Sequence, residues 1–335
     1  MTRISCKHVV ISALLGSVSF PSAQAASIQF LGDFYLSDHV LNTVSEKDQK
    51  SHVLQGLESE LRKGDFNMVN LEGAITESHY FYPFKSYNLK MPFQTARVLG
   101  NAGITAASLA NNHIMDYGYF GLFDTVAELN RYNIHHVGAG VNIDEAKHPL
   151  SIKIKGKKVC FLSYSRTLPE GFWAEDERPG TANLSYEELQ SAVGECASTH
   201  DATFVSFHWG EEESKRKKDY QAELARLVID AGATGVIGHH PHVLQEVEFY
   251  KQGFIIYSQG NSAFGTYPVS SQPEGMMVRV ILNQKRNLLQ LVGLEVNNHV
   301  VEFIPQRKND KFDVDFINDN GRCRWSSARL WECPI

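Results

Sequence analysis

The sequence has no basic surplus. Its 32 Lys and Arg face 38 Asp and Glu, a formal net charge of -6. That balance argues against a general nucleic-acid binder, which carries a basic face. Beyond one apolar run from Val9 to Phe20, the sequence also lacks any stretch long enough to cross a bilayer, since a span takes about 20 apolar residues. No internal repeat, low-complexity segment or long linker interrupts it, so one domain is expected despite the length of 335 residues. Cysteine is scarce, at five residues.

What is present begins with Arg3 and Lys7, the apolar run, and then Pro21-Ser22-Ala23-Gln24-Ala25-Ala26. A basic start, about a dozen apolar residues and an Ala-x-Ala site read as a secretory signal peptide over 1–25, with a membrane anchor as the alternative. Export to the periplasm or medium is the expectation. Cys6 would leave with the signal, and four cysteines suit an oxidising compartment. Cys323 and Cys333 are placed to close a local loop, while Cys160 and Cys196 are either two buried thiols or a second bridge. With 43% hydrophobic and 21% charged residues, the remainder is ordinary for a globular chain with a full core.

Ser27 to Leu31 is strand-like and ends at Gly32-Asp33. Leu54, Leu57 and Leu61 share a helical face that stops at Gly64. Phe66–Asn70 is a strand, Thr95–Asn101 a helix, and Thr105–Leu109 a third strand, followed by an amphipathic helix through Leu122, Val126 and Leu129. This alternation predicts βαβ units with a largely parallel sheet. A hairpin is predicted around Lys155-Gly156-Lys157. Ser185-Tyr186-Glu187-Glu188 is a capping box for a helix carrying Leu189, Val193 and Cys196. Ala202–Phe207 and Thr234–Ile237 are strands flanking a helix through Tyr220, Leu224, Leu227 and Val228. Val247–Tyr250, Phe254–Ser258, Met277–Leu282, Leu288–Val296 and Val300–Ile304 are predicted as successive antiparallel strands. The expected fold is α/β, a two-sheet sandwich flanked by helices with antiparallel strands toward the C-terminus. The domain covers 26–305, and 306–335 is a C-terminal extension.

Five polar clusters follow strand-like runs: Gly32-Asp33, Asn70-Leu71-Glu72-Gly73, Ala110-Asn111-Asn112-His113, His208-Trp209-Gly210 and Gly238-His239-His240-Pro241-His242. In an α/β protein such clusters meet at the edge of a sheet where ligands sit. A pair of divalent cations needs hard oxygen donors, imidazoles and a bridging carboxylate. Asp33, Glu72, Asn112, His208, His240 and His242 supply that set, with Pro241 stiffening the link between the last two. Singly, each has an ordinary explanation: Asp33 as a turn residue, Asn111-Asn112 as turn formers, His208 as a core histidine. Their joint occurrence points to metal.

With Leu109-Ala110-Asn111-Asn112-His113, Asp116-Tyr117-Gly118, Gln245 and Gly260-Asn261 added, the motifs from about Ile28 to Phe264 resemble the CapA family of poly-γ-glutamate capsule-synthesis proteins. That family is a divergent branch of the calcineurin-like metallophosphoesterases. The resemblance implies Asp33 and His242 on a first metal, Glu72 as the bridging carboxylate, and Asn112, His208 and His240 on a second. It implies that His113 meets the leaving group and Asp116 orients it, with His239 and Asn261 in support. One position departs from the pattern. Tyr35 stands where the superfamily has histidine, and a phenol stays protonated at neutral pH. One tight and one weaker divalent-metal site are therefore expected, with Mn, Mg, Zn and Fe not distinguished.

Three functions follow as expectations. The chain is a metal-dependent hydrolase of capsule or exopolymer biogenesis acting on a phosphoester or on poly-γ-glutamate, a non-enzymatic polymer-binding or assembly factor within a capsule-synthesis membrane complex, or a nucleotidase-like phosphatase. The partner is an anionic polymer or phosphoester, not nucleic acid. Glu211-Glu212-Glu213 and Lys215-Arg216-Lys217-Lys218 read as a solvated helix start or a rim of the site. Tyr80-Phe81-Tyr82-Pro83-Phe84 reads as a packed surface loop or a polymer contact.

Overall fold

Short apolar runs rich in Val, Ile and Phe pair into two sheets, and the amphipathic stretches between them lie on the outer faces. The computed structural model of the chain describes residues 24–38, 40, 53–265, 274–295 and 306–335. In order, the main strands are β1 Ala26–Leu36, β2 Phe66–Leu71, β3 Ala106–Ser108, β4 His135–Val137, β5 Leu150–Ile154, β6 Lys157–Ser165, β7 Ala202–His208 and β8 Gly235–His239. They continue with β9 Val247–Tyr250, β10 Gly253–Ile256, β11 Asn261–Gly265, β12 Glu274–Leu282 and β13 Leu288–Glu295. Four C-terminal strands follow: β14 Gln306–Arg307, β15 Phe316–Ile317, β16 Arg324–Trp325 and β17 Trp331–Pro334.

The first sheet has the order β16-β17-β13-β12-β1-β2-β3-β4, with β11 also on β1 and β14 on β13. The second has the order β15-β9-β10-β8-β7-β6-β5. β1 to β4 run parallel in the first, as do β6, β7, β8 and β10 in the second. The inner faces share one core. Phe30 lies 5.1 Å from Phe204 and Phe66 stacks on Phe161 at 4.6 Å, ring centroid to centroid, contacts worth about 0.5–1.5 kcal/mol each beyond their burial. Helices α1 Gln94–Ala102 and α2 Gly118–Arg131 cover the outer face of the first sheet through Leu99, Leu122 and Leu129. Helices α3 Tyr186–Thr199 and α4 Asp219–Asp230 cover the second through Leu189, Val193, Leu224 and Val228. The expected α/β sandwich flanked by helices is what the chain forms, and Ser185 and Glu188 close the capping box of α3 in both directions.

Four expectations change in detail. Gly32-Asp33 does not end β1, which continues to Leu36; the pairings of β1 with β2 and with β11 both shift register beside Asp33. The strands after β8 are not uniformly antiparallel, because β10 pairs parallel with β8 and β15 with β9. The stretch carrying Leu54, Leu57 and Leu61 is a 3₁₀ turn, Gln55–Leu57, followed by one helical turn, Glu58–Leu61. All three leucines are buried. Residues 306–335 are built into the sandwich: β17 pairs with β13 and β15 with β9. Cys160–Cys196 and Cys323–Cys333 are both bridged. The Val300–Ile304 strand and most of the 1–25 segment lie outside the described residues. Among the described residues no helix is long and apolar enough to cross a membrane.

Candidate metal centre

The parallel strands of both sheets end at one edge, the place where an open α/β sheet gathers ligands. Asp33 reaches that edge because β1 is irregular there. Gly32 permits the irregularity: a Cβ at this position would overlap the Gly260 carbonyl oxygen, so only glycine lets the two backbones meet. Asp33 N donates to that same carbonyl at 3.0 Å. Glu72 follows β2 and is held by its own N–H on Phe34 O at 3.0 Å. Asn112 and His113 follow β3. Asn111, beside them, donates to Leu71 O at 2.8 Å and accepts from the His113 and Ile114 N–H groups.

His208 ends β7 in register with His239 at the end of β8. Trp209 locks the turn after it, stacked on Phe207 at 4.6 Å and donating Nε1–H to Tyr257 O. His240 and His242 both have left-handed backbone, at φ 95° and 58°. Non-glycine residues held this way cost about 1–3 kcal/mol each and cluster at functional sites. The turn delivers both imidazoles to the same place as Asp33 and Glu72.

Asn70 Nδ2 donates to Asp33 Oδ1 at 2.8 Å and lies 3.2 Å from His208 Nδ1. His208 Nε2 is 2.8 Å from Asn112 Oδ1 and 3.4 Å from Glu72 Oε1. His242 Nδ1 is 3.3 Å from Asp33 Oδ2 and 2.9 Å from Asn261 Oδ1, and its Nε2 is 3.6 Å from Glu72 Oε1. His239 Nδ1 is 3.4 Å from Asp33 Oδ1. Three candidate donor groups lie here, Asp33-Glu72-His242, Glu72-His208-His240 and Glu212-His240-His242, each with its donor atoms within 4.8 Å of one another. Glu72 is common to the first two. The six side chains singled out in the sequence as metal ligands meet here, with His239 and Asn261 against them.

The electrostatics fit a cation. Asp33 and Glu72 are both fully buried, a costly arrangement for two carboxylates. Neither Glu72 oxygen nor His240 Nδ1 has a hydrogen-bond partner among the described residues. Burial pushes the Glu72 carboxyl well above its ordinary range. Burial would also raise Asp33, but His239 and His242 outweigh it and hold Asp33 well below. Burial drags His208 down strongly and His240 to about 3, keeping both imidazoles neutral and able to act as ligands. Burial acts the same way on His242, yet Glu72 and Asp33 prevail and push it up to about 10. A proton on His242 thus offsets the paired carboxylates, as a bound cation would.

Beside these donors, His113 Nδ1 lies 2.6 Å from Asp116 Oδ2, which fixes the ring. Asp116 also accepts from Leu89 N at 2.7 Å. No motif marks Lys85, yet its ammonium binds Asp116 Oδ1 and Asn112 O and lies 3.1 Å from His113 Nδ1. Lys85 sits one residue beyond the aromatic stretch 80–84, whose Tyr80 and Phe84 are each 84% exposed. Asn70, unmarked as a donor in its strand-like run, is likewise the link between Asp33 and His208. Tyr35 packs in the core at 5.5 Å from Phe264, whose ring lies 4.5 Å from His242. Burial raises its phenol to about 12. Within the charged run after Gly210, Glu211 pairs with Lys218 and Lys217 with Glu246, while Glu212 approaches His240 and His242.

Fold and donor set together define an α/β sandwich with a candidate divalent-metal centre at a shared sheet edge. The chain belongs to the family described as bacterial capsule synthesis protein PGA_cap, whose profile matches residues 27–266. It is 33% identical over 245 residues to the PGA biosynthesis protein CapA of Bacillus subtilis (strain 168), covering 72% of this chain and 64% of that one. It is 31% identical to the capsule biosynthesis protein CapA of Bacillus anthracis, covering 71% and 59%. The chain thus spans about three-fifths of the length of these relatives. Among solved structures it is similar to the NAD nucleotidase of Haemophilus influenzae, with TM-score 0.47 and 13% identity, covering 92% of this chain and 59% of that one.

Proposed function

We propose that this protein is an exported metal-dependent hydrolase of poly-γ-glutamate capsule or exopolymer biogenesis, acting on a phosphoester or on the polymer itself. Family membership supports the pathway, and an N-terminal segment patterned as a signal peptide supports export. The observation that carries the chemistry is the wholly buried Glu72 carboxylate, without hydrogen-bond partners among the described residues and shared by two groups of imidazole and carboxylate donors.

Asp33, Glu72, Asn112, His208, His240 and His242 are the residues that would hold one or two divalent cations. Such a cation supplies an activated water and offsets negative charge on the reacting group. The chain's own residues do the rest. Asp116 accepts a hydrogen bond from Nδ1–H of His113 and favours the imidazolium against burial; in that form Nε2–H is the proton that would pass to the leaving group, leaving the ring neutral. Lys85 shares Asp116 and keeps that carboxylate from turning away. Phe264 packs on the His242 ring at 4.5 Å and covers that side of the donors.

The test is a panel of phosphomonoesters, phosphodiesters and poly-γ-glutamate with Mn, Mg, Zn and Fe. Hydrolysis of one class that depends on the added cation is expected. His113→Ala is expected to lower turnover by about 10²–10⁴, the usual scale for a general acid, with metal content unchanged on elemental analysis. Metal loss in that variant would assign His113 a structural role. A second reading has one specific observation in its favour: Tyr35 is packed in the core instead of serving as a ligand. On that reading the chain is a polymer-binding assembly factor of a membrane complex, and it would retain poly-γ-glutamate on a column while hydrolysing nothing in the panel.

A further inference from the structure

We propose that Glu212 is a metal ligand of this centre, closing from the solvent side the group that Tyr35 leaves one donor short. The inference rests on the metal-centre reading above and adds to it a residue outside the six-residue ligand set. The Asp33-Glu72-His242 group has three protein donors, whereas the Glu72-His208-His240 group also has Asn112 against His208. The Glu212 carboxylate lies within 4.8 Å of ring nitrogens of both His240 and His242. It therefore stands across the two groups on the exposed side, while Glu72 stands across them on the buried side.

The local backbone makes this placement specific. Gly210, at φ 96°, turns the chain back immediately after His208 and Trp209. Trp209 N then donates to His239 O at 3.1 Å, and Glu213 N donates to Pro241 O at 2.9 Å. These two bonds stitch the loop carrying Glu212 to the turn carrying His240 and His242. Among the described residues Glu212 makes no ion pair, in contrast to its neighbour Glu211, which pairs with Lys218. A second observation at the same spot points to a ligand: His240 is more than nine-tenths buried and its Nδ1 is unpartnered. A hard carboxylate oxygen beside two imidazoles suits Mn, Zn or Fe.

The experiment titrates the metal-stripped full chain with Mn²⁺ by calorimetry, with elemental analysis of the metal bound after dialysis. It compares the wild type with Glu212→Gln and Glu211→Gln. The two variants remove the same charge from the same loop; Glu211 spends its charge on Lys218, whereas Glu212 lies against the histidines. Two classes of site are expected in the wild type. In Glu212→Gln the weaker class is expected to lose at least about 10-fold in affinity, the scale on which loss of even an outer partner acts, with the tighter class unchanged. Glu211→Gln is expected to match the wild type. Equal binding in wild type and Glu212→Gln, or equal weakening in both variants, overturns the role of Glu212 alone. Absence of Mn²⁺ binding in the wild type overturns the metal centre and this assignment with it.

Discussion

At the scale of single residues, the centre depends on side chains that orient the ligands as much as on the ligands. Asn70 is the clearest case, since its one amide touches both Asp33 and His208. Asn70→Ala is expected to weaken divalent-metal binding by about 10–100-fold, the effect of losing an orienting partner, with the fold intact by circular dichroism. Unchanged affinity would show that Asp33 and His208 are positioned by their strands alone. The six candidate donors are legible in the sequence as polar residues in short clusters after apolar runs. Their orienting partners are not. Asn70 lies inside a strand-like stretch, and Lys85 meets Asp116 from 31 residues away. Glu212 resembles a recurrent family acid after His-Trp-Gly, but its run of three glutamates gives it no role, and its place beside His240 and His242 comes only from the fold.

At the scale of elements, β1 and the turn after β8 place the site. The β1 irregularity exists because Gly32 lets the Gly260 carbonyl approach, and Asp33 is aimed inward by it. Gly32→Ala is expected to cost about 1–3 kcal/mol, as overpacking of a tight interior does, and to weaken metal binding as well. Thermal denaturation with and without Mn²⁺ reads both effects. Full stability with reduced metal binding would separate the aim of Asp33 from the packing. The helices were readable from their apolar period and caps, as at Ser185. The irregularity was not, because it is set by a partner strand more than 200 residues away. The parallel pairing of β10 with β8 escaped for the same reason: strand direction leaves no mark on an apolar run.

At the scale of the whole molecule, Glu60 ties distant parts of the chain together. It is buried and pairs with Lys63, with Arg279 on β12 and with Arg307 on β14, so the C-terminal strands are fastened to the start of the fold. Burial alone would raise its carboxyl, but these cations outweigh it and set it below its ordinary value of 4.5. Its contribution is therefore complete above about pH 4.5 and is lost as pH falls through the lowered folded value. Glu60→Gln is expected to cost about 3–5 kcal/mol at neutral pH, the usual penalty for breaking a buried pair, and to flatten the fall of stability in acid. An unchanged acid limb in urea denaturation series would remove Glu60 from that role. Residues 306–335 read as an extension because their strands are two to four residues long, too short to carry a period. The central claim is that residues from both sheets converge on bound metal, and anomalous diffraction from crystals soaked in Mn²⁺ tests it most directly. The expected result is a peak about 2.0–2.3 Å from donor atoms of Glu72, His208 and His240; a map with no peak at this sheet edge would contradict the claim.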